Sequence, residues 1–137
     1  MRIFALVILS MLATVASADP WLCIEEAASG FLFKNGKWTQ GPFHIDGKKF
    51  ILRKPNIDDL DYGKSQYGVY ALGSPASSYQ CAEANQFGEF RCHSLLGEFK
   101  FAVRSGRYLR TYTAGYWDGE DVAKNTPIIA RGRCSIM

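Results

Sequence analysis

Histidine is scarce in this 137-residue chain: it occurs only at His44 and His93. That matters because histidine is the side chain that most often moves protons at neutral pH. The chain has no Gly-x-Ser-x-Gly element, no Gly-rich phosphate loop and no Cys-x-x-Cys pair. It therefore carries no catalytic signature, no zinc motif and no sign of a cofactor. Prolines number only five, and no stretch beyond the first eighteen residues keeps a 3.6-residue apolar period. A coiled coil, a collagen and a large multi-domain enzyme are excluded. An excess of one charge is missing too. Sixteen basic residues face thirteen acidic ones, a net charge of +3, too mild to point to nucleic acid.

What is present begins with an address. Met1-Arg2 is a short positive start, Ile3 to Ala13 is apolar apart from Ser10, and Ala16-Ser17-Ala18 is a small-x-small cleavage pattern. Residues 1–18 are expected to be a signal peptide, and 19–137 a single secreted β domain. The apolar stretch is short for a membrane anchor, and no later run is apolar for long enough to cross a bilayer. The expected location is the periplasm or the cell exterior.

Four cysteines follow the leader: Cys23, Cys81, Cys92 and Cys134. An even count in an oxidising compartment implies two disulfides. Of the three possible pairings, Cys23–Cys134 and Cys81–Cys92 are favoured. The first ties the two ends of the chain, and the second staples one hairpin. Loop closure assigns the terminal bridge up to about 4–5 kcal/mol.

The rest reads as β. Asn35-Gly36 between Phe31-Leu32-Phe33 and Lys37-Trp38-Thr39 is a strong hairpin signal. Asp46-Gly47 suggests a second hairpin, between Phe43-His44-Ile45 and the run from Lys48 to Arg53. Further strands are expected over 66–72, 79–82, 87–92, 98–103 and 107–113, with a last apolar run at 128–130. Residues 23–29 are compatible with a short helix. The expected fold is all-β, a small barrel or sandwich of about seven antiparallel strands with two disulfides.

The acidic clusters Glu25-Glu26, Asp58-Asp59-x-Asp61 and Asp118-x-Glu120-Asp121 read as solvated groups, and Asn56 to Lys64 matches a calcium loop only loosely. A Ser-His-Asp triad would have to be built on His44 or His93. Aromatic residues are more suggestive. Tyr108, Tyr112, Tyr116 and Trp117 fall within ten residues, and on one strand the three tyrosines would share a face. Such a ladder serves as core filling, as a sugar-stacking platform or as a partner patch. Arg107 and Arg110 would assist binding or stack on the rings. Two basic groups also stand out: Lys48, Lys49, Arg53 and Lys54, then Lys100, Arg104, Arg107 and Arg110. They read either as a solvated strand face or as a contact for an anionic surface such as an envelope polymer or lipid head group.

Three resemblances join these readings. Phe90-x-Cys92, Gly97-Glu98-Phe99-x-Phe101, Gly106-Arg107-Tyr108-Leu109-x-x-Tyr112-x-x-Gly115-Tyr116, Asn125-Thr126-Pro127 and Gly132-x-Cys134 resemble a family of small exported bacterial proteins of unassigned function. That resemblance implies a secreted β domain. Tyr79-Gln80-Cys81, Ser105-Gly106-Arg107-Tyr108, Tyr116-Trp117-x-Gly119 and Cys134 are similar to periplasmic inhibitors of c-type lysozymes, small barrels that insert a Ser-Gly loop into the lysozyme cleft. This second resemblance implies Ser105 and Tyr108 as inhibitory contacts, although Asp118 stands where that family places a lysine. Gly36-Lys37-Trp38 resembles the first strand of lipocalins and avidins.

Together these lead to an expected non-catalytic binding or envelope-associated module without cofactor or metal. The binding candidates are Ser105, Arg107, Tyr108, Arg110, Tyr112, Tyr116 and Trp117. The partner class is an envelope polymer, a sugar or a protein, not nucleic acid, and the oligomeric state is open. The competing expectations are a lysozyme inhibitor, a small secreted hydrolase and a host-directed effector.

Overall fold

The computed structural model describes residues 20–137, so the expected leader lies outside the described residues. Nine strands form one antiparallel sheet: β1 (Trp21–Lys34), β2 (Lys37–Phe43), β3 (Lys49–Arg53), β4 (Tyr67–Ala71), β5 (Ser77–Cys81), β6 (Glu89–Ser94), β7 (Gly97–Ala102), β8 (Arg107–Tyr112) and β9 (Ile128–Ile136). β1 pairs with β3 along one edge and with β9 along the other, which closes eight strands into a barrel with β2 as an extra strand. Closure pairs each of the eight barrel strands on both sides, while β2 pairs with β1 alone.

Local sequence explains the first hairpin. Asn35 and Gly36 both hold positive φ, 53° and 73°, the conformation that a two-residue turn needs between twisted strands. Asp46-Gly47 also turns, but not into a hairpin. β2 pairs with the C-terminal half of β1, and β3 pairs with its N-terminal half. The two short strands therefore lie end to end along one edge of β1, and residues 44–48 interrupt them. The expected helix at 23–29 is strand instead. Glu25, Glu26, Ala27 and Ala28 suit a helix locally, but β9 pairs along this segment while β3 and β2 pair with β1 on either side of it. A register shift between Glu25 and Ala27 makes Glu26 an extra residue in the ladder with β9.

Alternation then decides what faces inward. Phe50, Leu52, Tyr67, Val69, Tyr79, Phe90, Phe99, Phe101 and Tyr108 are buried and form one cluster with all four cysteines. The rings interlock. Phe99 stacks on Tyr108 at 4.7 Å and Phe90 on Phe101 at 6.1 Å, while Trp21 meets Phe101 edge-on at 5.0 Å. Burying each such side chain contributes about 1.5–3 kcal/mol.

The disulfides are Cys23–Cys134 and Cys81–Cys92. Both join residues directly opposite on neighbouring strands, with Cα atoms 3.9 and 4.1 Å apart. The first seals the β1–β9 seam that closes the barrel. The second clamps β5 to β6, which share only the register pairs Gln80–His93 and Cys81–Cys92. Among the described residues no helix is long and apolar enough to cross a membrane.

Candidate functional site

Tyr108 and Arg110, expected on a binding face, point into the barrel. Tyr108 is 2% exposed, and its hydroxyl donates to Glu25 Oε2 at 3.5 Å. Arg110 grips the same carboxylate with two charge-assisted bonds, Nε to Oε2 at 2.5 Å and Nη2 to Oε1 at 2.8 Å. Burial opposes the Arg110 charge, but hydrogen bonding and attraction to Glu25 outweigh it, so its pKa lies above the ordinary arginine value. Burial, reinforced by the Glu25 charge, pushes the Tyr108 phenol well above its usual range. These groups are parts of the interior and are not available to an external partner. A recess of about 480 Å³ at Lys48, Lys49, Leu95 and Leu96 is also lined by Arg110. That guanidinium is already committed to Glu25.

The expected aromatic ladder is thus divided. Tyr108 lies inside. Tyr112 closes β8, half-buried, and its hydroxyl donates to Asn125 Oδ1 at 2.8 Å. β8 ends there, so Tyr116 cannot continue the ladder. It opens a single 3₁₀ turn, Tyr116–Asp118, with Trp117 beside it. Both rings face outward, 63% and 73% exposed.

What they join lies far away in the linear sequence. Segment 113–127 folds across the tip of the β1–β2 hairpin. Trp38 meets Tyr116 edge-on at 5.4 Å and Phe33 at 5.3 Å. Trp38 Nε1 donates to Asp121 Oδ1 at 2.7 Å, and Trp117 Nε1 donates to the Thr113 carbonyl at 2.7 Å. Phe31 stands on the same outward face of β1 as Phe33, half exposed. The signal was present: aromatics alternate around the Asn35-Gly36 turn, and an outward-facing hairpin tip needs a reason to be aromatic.

Gly115 sets the approach of the turn. Its φ is +90°, and a Cβ placed there would fall 1.8 Å from the Asn125 carbonyl oxygen. Only glycine lets the two backbones lie this close. The patch is therefore mounted on a glycine pivot, two indole hydrogen bonds and a disulfide-closed barrel.

Ser105 and Arg107 lie elsewhere, exposed where β7 turns into β8. They line a groove of about 640 Å³ on the barrel wall. The second expected basic group reorganises there. Arg110 leaves it for the interior, while Arg91, Arg131 and Arg133 join it. The acidic clusters are also dispersed. Glu25 serves Arg110, Asp59 pairs with Arg53, and Asp61 accepts the Ser77 N–H at 2.5 Å. Among the described residues no three His, Cys, Asp or Glu side chains converge as a metal site. His44 and His93 are exposed, and His93 lies between Gln80 and Glu98 in the sheet. No protein-family model, curated protein or solved structure matches this chain.

Proposed function

We propose that this chain is an exported, non-catalytic binding protein that recognises an envelope saccharide through its outer surface. One observation carries the reading. Aromatic rings fill the barrel interior, while outside it the half-buried Trp38 meets the exposed Tyr116, with exposed Trp117 next in the chain and exposed Phe31 on the outward face of β1. Rings that only filled a core would be inside. Exposed rings on a rigid frame favour stacking on an apolar sugar face at small entropic cost. Two disulfides suit an oxidising compartment.

Tryptophan fluorescence tests this directly, since two of the three tryptophans, Trp38 and Trp117, are in the patch. Titration with soluble amino-sugar oligomers of the cell-wall type should shift the emission. Trp117→Ala should weaken the response, and Phe87→Ala, on the β5–β6 loop, should leave it intact. No response from the wild type across neutral and charged oligomers would overturn the reading.

A second reading rests on the β7–β8 turn. It exposes Ser105 between Arg104 and Arg107, in the element that the lysozyme-inhibitor resemblance implies. In that reading Ser105 and the two arginines would meet the acidic cleft, since Tyr108 faces the interior. Unchanged rates across a panel of c-type lysozymes would remove it.

A further inference from the structure

The groove on the wall formed by β6 to β9 has a charge pattern that a sheet does not adopt for stability. Arg91 lies directly opposite Lys100, and Arg107 directly opposite Arg133. Like charges facing each other across a ladder destabilise it. Here two such pairs sit on adjacent strands, and Arg131 adds a fifth cation two residues from Arg133 on the same face. Glu89, Glu98 and Glu26 offset part of this: Glu89 contacts Arg91 at 3.2 Å, Glu98 contacts Lys100 at 2.8 Å, and Glu26 contacts Arg131 at 2.6 Å and Arg133 at 3.3 Å. Arg107 has no acidic partner among the described residues.

The asymmetry holds for the whole described chain. With Arg104 of the β7–β8 turn and Glu26 of β1, this wall carries six basic and three acidic residues, and the remaining nine basic and nine acidic residues of 20–137 cancel in number. The wall's excess of three positive charges thus equals the net charge of the described chain. The cations are long and exposed, and four of the five in the groove are arginines, the side chain best shaped to bind a carboxylate.

We infer that this groove binds the acidic sugars of a linear, carboxylate-bearing polysaccharide. The inference rests on the proposed saccharide-binding function and names its substrate class. Neighbouring strands set the opposed cations of each pair about 4.8 Å apart, and Lys100 and Arg131 stand two strands apart. Three interleaved carboxylates would repel a densely charged partner such as duplex nucleic acid or an anionic bilayer. They tolerate a chain with one charge per sugar ring. Leu109, half exposed between Lys100 and Arg131, supplies an apolar floor for the ring between charges. The same outward face continues along β9 through Ile129 and along β1 to Phe31, so one strand of sugars can touch both the cations and the aromatic patch.

The test uses the purified protein and linear galacturonate oligomers as probe, with neutral oligomers, anionic phospholipid vesicles and duplex DNA in parallel. Galacturonate should bind and weaken several-fold between low and physiological salt. Arg107→Glu should weaken it several-fold while raising the melting temperature of the free protein by about 2–5 °C, because it turns a repulsive cross-strand pair into an attractive one. A structural role for Arg107 would not yield opposite signs. Arg91→Gln with Arg107→Gln and Arg131→Gln, folded by circular dichroism, should abolish galacturonate binding. Neutral oligomers binding without galacturonate would overturn this inference and leave the proposed function standing. Silence towards both would overturn both. Tighter binding to vesicles or DNA, or galacturonate binding that survives the neutralised groove, would also overturn it.

Discussion

Arg110 and Glu25, 85 positions apart in the chain, meet inside the barrel through two hydrogen bonds of 2.5 and 2.8 Å. Their side chains are 7% and 1% exposed, so neither charge has water to fall back on. Removing one partner strands the other. Arg110→Ala or Glu25→Ala should each cost about 3–5 kcal/mol. Replacing both, with Glu25→Leu and Arg110→Met, should cost much less, because no uncompensated charge remains. Urea unfolding of the three variants measures this. A double variant no better than the worse single one would mean that the pair contributes through packing alone.

The disulfides make a second, ordered prediction. Cys23–Cys134 spans 111 positions and Cys81–Cys92 spans 11. Loop-closure entropy assigns them about 5 and about 3 kcal/mol. Replacing Cys23 and Cys134 by serine should therefore destabilise the protein more than replacing Cys81 and Cys92. The smaller loss should be accompanied by faster amide exchange in β5 and β6, where only two register pairs otherwise hold the strands. Equal losses would show that residual structure in the unfolded chain, not loop length, sets the scale.

How much of this was legible depends on the range of the forces. The Asn35-Gly36 turn, the alternation in β7 and β8 and the cysteine pairing are local or near-covalent signals, and all three appear as expected. The parity of β8 was legible too, with Tyr108 and Arg110 on one face and Leu109 on the other. The inward face was not. Tyr108 reads either as core filling or as a stacking platform until Phe99 is placed beside it, and Arg110 reads as a surface cation until Glu25 is. The same limit hid the first strand. Nothing local tells Glu25-Glu26-Ala27-Ala28 to extend, because the distant β9 imposes it. Tyr116 and Trp117 read as a continuation of the Tyr108–Tyr112 ladder and Trp38 as part of a hairpin, because their meeting needs the hairpin tip and the 113–127 segment folded together.

Acid should loosen the 54–66 loop early. The Ser77 N–H holds the Asp61 carboxyl below the ordinary aspartate value of 3.8, with lesser help from Gln80 and Lys64. Arg53 holds Asp59 below it as well, aided by the Asn56 N–H. A folded pKa below the unfolded one gives stability that is present above the unfolded value. It is lost as pH falls through the folded one. The melting temperature should stay level from neutral pH down to about 5 and decline below about 4. Asp61→Asn keeps an acceptor for Ser77 but removes the charge. It should lower the plateau and shallow the decline. Parallel curves for wild type and variant would show that Asp61 does not drive the acid limb.

Gly115 offers the cleanest separation of patch from barrel. Its φ of +90° and ψ of −150° lie in a region that only glycine occupies at low cost. A methyl group there would meet the Asn125 carbonyl at 1.8 Å, backbone that cannot step aside without moving the whole turn. Gly115→Ala should therefore displace Tyr116 and Trp117 from Trp38, while β1, β3 and the six strands that follow keep their pairing. Trp38 and Trp117 would lose their hydrogen bonds to Asp121 and Thr113, which near-ultraviolet dichroism and a red-shifted emission would report. Far-ultraviolet dichroism should hardly change. Saccharide binding should fall as far as it does for Trp117→Ala, although no binding side chain has been removed. Full binding by Gly115→Ala with an altered near-ultraviolet spectrum would mean that the arrangement of these rings is incidental to recognition.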